Sequence, residues 1–270
     1  MNITFLGGGN MANALIGGLL KRGFAAADIT VVDPSREARE RLQQAYSVRC
    51  IGAASELAAV GDLLVLAVKP QQMREVCAPL AGKLGAALVV SIAAGLDLAA
   101  LSRFLGGHRR IVRCMPNTPA LIGAGITGLC ALPEVDAAGR AAADRVLAAV
   151  GATVWIDDEA RMDGVTALSG SGPAYVFLFI EALQQAAAEL GFTPEQGRQL
   201  AIETVQGAAA LAAQSPEPAA ALRERVTSRG GTTEAALSVM MAAGVKAGIV
   251  AGVKAAAARG RELGKQLGGV

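Results

Sequence analysis

The sequence predicts an α/β fold in which an N-terminal, Rossmann-like, mostly parallel sheet is followed by a second, all-helical C-terminal domain. Three observations predict it. From residue 1 to about 155, short β-branched runs alternate with helical stretches that carry charged faces. The runs are apolar on both faces, as strands are when helices cover both sides of a parallel sheet. Beyond about residue 160 the strand signals stop and alanine-rich helical periodicity takes over.

The predicted strands, in order, are NITFL (2–6), ITVV (29–32), LLVLAV (63–68), ALVVSI (87–92) and RIVRCM (110–115). Weaker ones are GITGLC (125–130) and ATVWI (152–156), with a helix over about 135–149 between them. ANALIGGLLKRG, REARERLQQAY and QQMREVCAPLAG read as the intervening helices. In the second half, Pro173 suits the first turn of a helix that continues through Tyr175, Val176, Phe177, Leu178, Phe179 and Ile180. A helix so apolar all round needs cover on several sides. Another subunit and the helix's own bundle are equally good candidates for that cover. Later helices are expected near 194–213, 216–226, 232–242 and 245–263. The domains divide as 1–158, dinucleotide-binding, and 159–270, substrate-binding and dimerisation.

Composition narrows the function. Of the 270 residues, 53% are hydrophobic and 18% charged, enough to bury a core and too ordered a mixture for a disordered chain. A net charge of +2 gives no basis for a nucleic-acid partner. Cys50, Cys77, Cys114 and Cys130 form no CxxC pair and read as reduced thiols. The single histidine, His108, stands beside two arginines without companions that could share a metal, so no metal site is expected. The N-terminus lacks a basic n-region, and its glycines interrupt any apolar core. With no uninterrupted apolar run of about 18 residues elsewhere, the expectation is a cytoplasmic protein without a membrane partner.

The first strand runs into LGGGNMANAL. Gly7, Gly9 and Ala12 fit G-x-G-x-x-A, with Gly8, Asn10 and Met11 between them. The glycines permit a tight turn and close approach of a pyrophosphate, which then faces a helix N-terminus. The motif lies between a strand and a helix, as it must. The second strand ends in VVDPSR. Asp33 there could accept bonds from the ribose hydroxyls of NAD, while Ser35 and Arg36 could hold the 2′-phosphate of NADP. An ordinary Asp-Pro-Ser turn reads the same way. Three further strands end in small or polar turns: Ala67, Val68, Lys69 and Pro70; SIAAG (91–95) with Ala93 and Ala94; and MPNTP (115–119) with Met115 and Asn117. Ligands in open α/β sheets bind off such ends. Lys69 could equally be a surface lysine.

No Ser-His-Asp set or Cys-His pair is available for nucleophilic chemistry. A dinucleotide enzyme can dispense with both, because the nicotinamide carries the reactivity. A carbonyl acceptor would call for a His, Lys or Tyr donor, whereas a protonated imine needs little acid catalysis. The scarcity of donors favours the imine. In the helical half, VTSRGGTTEAAL (226–237) places glycines and hydroxyls just before a helix. The N–H groups of Gly230, Gly231, Thr232 and Thr233, with the hydroxyls of Ser228, Thr232 and Thr233, could cradle a carboxylate. Spacing alone favours a plainer reading, a Gly-Gly turn with Thr as the helix N-cap.

FLGGGNM, LAVKP, SIAAG, RCMPNTP, LSGSGPAYVF and VTSRGGTTEAAL, in this order over essentially the whole chain, resemble the motifs of the pyrroline-5-carboxylate reductase family. The resemblance implies reduction of 1-pyrroline-5-carboxylate to L-proline, with NADPH as coenzyme and NADH as the alternative. It implies an interlocked homodimer, commonly assembled into decamers. Carried over motif by motif, Gly8, Asn10 and Met11 touch the coenzyme phosphates. Val68 and Lys69 line the adenosine side, and Ala94 lies near the nicotinamide. Glu159 and the 231–233 loop contact substrate, and Thr233 approaches the ring nitrogen. The chain departs from the family at Arg229, where proline is usual, at Val239, Met240 and Met241, and at Asp33, where a neutral residue is common. A β-hydroxyacid dehydrogenase would share the layout but would need a lysine on the helix that Pro173 opens, which has none.

Overall fold

A computed structural model describes residues 1–268. Its eight-stranded sheet has the order β3-β2-β1-β4-β5-β6-β7-β8. The strands are β1 Ile3–Leu6, β2 Ile29–Val32, β3 Arg49–Ile51, β4 Leu63–Leu66, β5 Leu88–Ser91, β6 Ile111–Met115, β7 Gly125–Ala131 and β8 Gly151–Trp155. All neighbours pair in parallel except β6 and β7, which are antiparallel. Pleating divides the apolar runs between two cores. Phe5, Val65 and Val90 join Leu15 and Leu42 on one face; Leu6, Leu64, Leu66 and Val89 join Met73 and Leu101 on the other. Apolar residues on both pleats therefore fill two helix-covered layers.

Helices α1 Asn10–Lys21 and α2 Arg36–Tyr46 lie where the periodicity puts them. The stretch expected as one helix around residue 75 is shorter. It is an α-helical turn, α3 Met73–Cys77, between two 3₁₀ turns, Pro70–Gln72 and Ala78–Leu80. Pro79 supplies no N–H and its ring resists a continued α-helix. Helices α4 Leu98–Phe104 and α5 Ala137–Leu147 complete the covering layers. β3 was not anticipated: three residues, the first exposed, make too short a run for an apolar pattern.

Contacts divide the chain into two compact units, Met1–Ser171 with the segment from Ala256 onward, and Gly172–Ala255. At the end of the first lie α6 Met162–Val165 and a π-helical turn, Thr166–Gly170. The second contains α7 Gly172–Glu189, α8 Pro194–Gln214, α9 Ala219–Arg225, α10 Thr232–Ala242 and the start of α11 Val245–Gly268. Thr193 caps α8 in a capping box with Gln196. Burial within this unit is confined to Ala187, Gly197 and Ala201. Phe177 and Leu178 on α7 are 64% and 66% exposed. α8 covers one side of α7, where Ala187 meets Gly197, and the face that carries Phe177 and Leu178 is left uncovered by the described residues.

The helical stretch Glu159–Glu189 is long and apolar enough, by length and composition, to cross a membrane, with a mean hydropathy of 1.2 over an 18-residue window. The sequence expectation rested on uninterrupted apolar runs and so passed over this stretch, in which Glu181 interrupts the apolar run.

Burial decides the thiol chemistry. It pushes Cys77 up to about 12 and Cys114 well above its ordinary value. Only thiolates attack disulfides rapidly. At about pH 8 an aromatic disulfide reagent should therefore leave Cys77 and Cys114 unmodified until the protein is unfolded. Rapid reaction of all four thiols in the folded protein would refute this.

Candidate active site

The LGGGNM turn is built for close approach. Gly7 has φ +100°, and a Cβ on it would lie 2.8 Å from the Ala67 carbonyl oxygen. Its N–H donates to the Val32 carbonyl at 2.8 Å, which ties the turn to the adjacent strand end. A Cβ on Gly9 would meet only open space, and Asn10 is exposed. Gly9 is the N-cap of α1, and no side chain caps that helix. Its first-turn N–H groups, at the positive end of the helix dipole, are therefore available to a phosphate. These features fit a dinucleotide. In Gly7→Ala, NADH and NADPH binding should weaken by at least about tenfold with the fold retained. Titration of a folded variant that gave wild-type affinity would remove this turn from the coenzyme site.

Asp33 faces the same turn. Its Oδ2 accepts the Gly8 N–H at 2.7 Å, and its Oδ1 accepts the Ser35 N–H at 2.8 Å. Ser35 caps α2 by accepting the Ala38 N–H. Arg36 pairs with Glu40 at 2.7 Å. Arg41, unnoticed in the sequence, donates from Nη2 to the Gly8 carbonyl at 2.9 Å.

The other strand ends gather on the same edge of the sheet. Ala67 donates its N–H to the Leu6 carbonyl at 2.8 Å, which keeps the 67–70 turn beside the glycine turn. Lys69 is exposed and precedes the 3₁₀ turn that Pro70 opens. In SIAAG, Ala93 is buried and Ala94 exposed. Gly264 of α11 packs on this turn, its would-be Cβ 3.1 Å from the Gly95 carbonyl oxygen. Met115 sits against Gly170, where a Cβ would come within 2.6 Å of the Met115 methyl. Asn117 is buried; its amide donates to the Ser169 carbonyl at 3.2 Å and accepts the Ile126 N–H at 3.0 Å. Its side chain thus pins the strand-end turn to the π-helical turn.

Glu159 also has partners. Its Oε1 accepts the Leu98 N–H at 2.7 Å, at the start of α4, and pairs with Arg113 Nη1 at 3.0 Å. Arg113 is 7% exposed and reaches Asp163 as well, at 3.5 Å. This triad went unremarked in the sequence. Its signal was available: one cation inside the apolar strand RIVRCM, which needs an anion if it is buried.

The 226–233 loop lies in the second unit and is tighter than the spacing suggested. Two expectations are corrected. The Gly230 N–H does not point outward; it donates to Glu234 Oε2 at 2.6 Å. The Gly231 N–H donates to the Ser228 carbonyl at 3.1 Å. The N-cap of α10 is Gly231, not a threonine, and no side chain caps the helix. The first helical bond runs from the Ala235 N–H to the Gly231 carbonyl, so the open anion-binding positions are the amides of Thr232, Thr233 and Glu234. Gly230 has φ +71°, a left-handed conformation that glycine adopts freely. Ser228 and Arg229 are exposed, and Thr233 is half-buried. The arrangement offers backbone donors, two threonine hydroxyls and a helix dipole to a small anion. Among the described residues, no group of three or more His, Cys, Asp or Glu side chains could hold a metal ion.

Residues 159–263 match the family model for pyrroline-5-carboxylate reductase dimerisation, and residues 2–95 match that for NADP oxidoreductase, coenzyme F420-dependent. The pyrroline-5-carboxylate reductase of Pseudomonas aeruginosa is 46% identical over 98% of both chains. That of Synechocystis is 40% identical over 98% of this chain and 99% of its own. The solved structure of the Coxiella burnetii enzyme superposes with a TM-score of 0.92 at 40% identity, covering 97% of this chain and 98% of that one. A Plasmodium falciparum pyrroline carboxylate reductase solved with NADP bound gives 0.87 at 29% identity, over 98% of each chain. With the glycine turn, the strand-end turns and the GGTT loop in place along its whole length, the chain belongs to the pyrroline-5-carboxylate reductase family.

Proposed function

We propose that this chain reduces the C=N bond of 1-pyrroline-5-carboxylate to give L-proline, using NAD(P)H, as a step of proline biosynthesis. Bound, the dihydronicotinamide supplies the hydride. The chain's own residues bind and orient. The observation that carries the reading is the uncapped N-terminus of α10 with its RGGTT lead-in. The substrate carboxylate takes the amides of Thr232 and Thr233, and the Ser228 hydroxyl and the Gly230–Gly231 backbone shape the approach. The Thr233 hydroxyl bonds the ring nitrogen and orients the C=N carbon. The substrate enters as the iminium, so hydride addition leaves a neutral ring amine and no acid is required of the protein.

In the first half of the chain, residues 1–158, Gly7, Gly8, Gly9, Asn10 and Met11 cradle the pyrophosphate. Ala67, Val68, Lys69 and Pro70 flank the adenosine side, while Ala93, Ala94, Met115 and Asn117 shape the nicotinamide end. Residues 159–270 serve substrate binding and dimerisation. Glu159 acts by holding the start of α4 through Leu98. The exposed apolar face of α7 supports a homodimer, which assembles further to a decamer in the cytoplasm. The test is optical: purified protein with 1-pyrroline-5-carboxylate should consume the absorbance of NADPH or NADH and release proline. Stable absorbance with both coenzymes would overturn the reading.

A further inference from the structure

We propose that Asp33 makes NADH the preferred coenzyme over NADPH. This rests on the coenzyme reading above and deepens it. Asp33 directly follows β2, where the adenosine ribose of a dinucleotide lies in this fold. The backbone bonds from Gly8 and Ser35, at 2.7 and 2.8 Å, hold both carboxylate oxygens beside the glycine turn. An ionised carboxylate has about four acceptor positions, so two remain for hydroxyl donors. The ribose 2′-hydroxyl of NADH can donate there. The 2′-phosphate of NADPH cannot, and it brings a charge of about −1.5 to −2 against the carboxylate.

The neighbouring strand end adds to the discrimination. The Asp33 N–H donates to the Ile51 carbonyl at 3.1 Å, which sets Gly52 and Ala53 alongside it. Their N–H groups would be the natural backbone donors for a phosphate. Glu56 Oε1 already accepts both, at 3.1 and 2.7 Å, and adds a second carboxylate to this edge. The nearby guanidinium groups are similarly engaged. Arg39 Nη1 donates to the carbonyls of Asp33 and Pro34 at 2.7 and 2.9 Å, and Arg41 to that of Gly8 at 2.9 Å. Arg36, with a side chain 83% exposed, faces Glu40. A 2′-phosphate would thus meet two carboxylates, with the Gly52 and Ala53 amides already taken and one nitrogen each of Arg39 and Arg41 held by backbone carbonyls.

The experiment is binding without substrate. The full-length protein is titrated separately with NADH and NADPH, followed by calorimetry. The wild type should bind NADH at least about tenfold tighter. Asp33→Asn keeps an amide oxygen for the Gly8 N–H and removes the charge, so it should narrow that ratio by about tenfold through tighter NADPH binding. Arg36→Ala, away from the glycine turn, should leave the ratio within about twofold. Equal or tighter wild-type binding of NADPH overturns the inference, as does a ratio unmoved by Asp33→Asn. So does selective loss of NADPH binding in Arg36→Ala, which would assign the phosphate to that arginine. If neither coenzyme binds the wild type, the coenzyme reading itself falls, and this inference with it.

Discussion

Replacing Thr233 by alanine should lower kcat/KM for 1-pyrroline-5-carboxylate by about 100-fold, the cost of removing one well-placed hydrogen-bonding group, here the hydroxyl oxygen that accepts the iminium N–H, from a reacting centre. The argument separates the backbone from the side chain. Thr233 lies at the second position of α10, and its amide remains in the variant. Carboxylate docking is therefore largely preserved, and most of the loss should fall on kcat. Coenzyme affinity should stay unchanged, because the glycine turn is built from other residues. Thr233→Ser restores a hydroxyl and should recover most of the rate. Wild-type kcat/KM in Thr233→Ala would remove this side chain from the mechanism.

Arg113→Ala should destabilise the folded protein by about 3 kcal/mol or more. Arg113 is buried at 7% exposure and bridges Glu159 at 3.0 Å and Asp163 at 3.5 Å. Its removal leaves two carboxylates, 29% and 20% exposed at the side chain, facing each other without a cation. Breaking such a group costs more than the pair contributes, because the remaining charges lose compensation. The loss also reaches α4 through the Leu98 N–H that Glu159 accepts. Urea denaturation at constant protein concentration would measure it, and a change below about 1 kcal/mol would show that water solvates the two acids in place of Arg113.

Most of the fold was legible because its strands are long enough to be apolar on both pleats, and its helices carry one charged face. β3 was hidden because a three-residue edge strand with Arg49 exposed has no pattern to show. The apparent helix around residue 75 misled because helical periodicity survives in sequence where Pro79 breaks the hydrogen bonding. The site was legible where backbone conformation dictates residue type, as at Gly7 and Gly230. It was less legible where one side chain uses up another residue's donor. Glu234 taking the Gly230 N–H, Glu159 meeting Arg113, and Asp33 bonding Gly8 each require the folded neighbourhood. The last joins residues 25 apart in sequence.

The unit Gly172–Ala255 buries only one glycine and two alanines within its own chain. No large apolar side chain is fully buried there, while Phe177, Leu178, Phe179 and Ile249 remain exposed. On the dimeric reading, folding of this half and meeting a partner are one event. Its stability then has no value independent of dilution: the unfolding midpoint rises with protein concentration, and a low-abundance copy is the vulnerable one. On that same reading, a defective subunit made alongside a sound one would destabilise its mate as well.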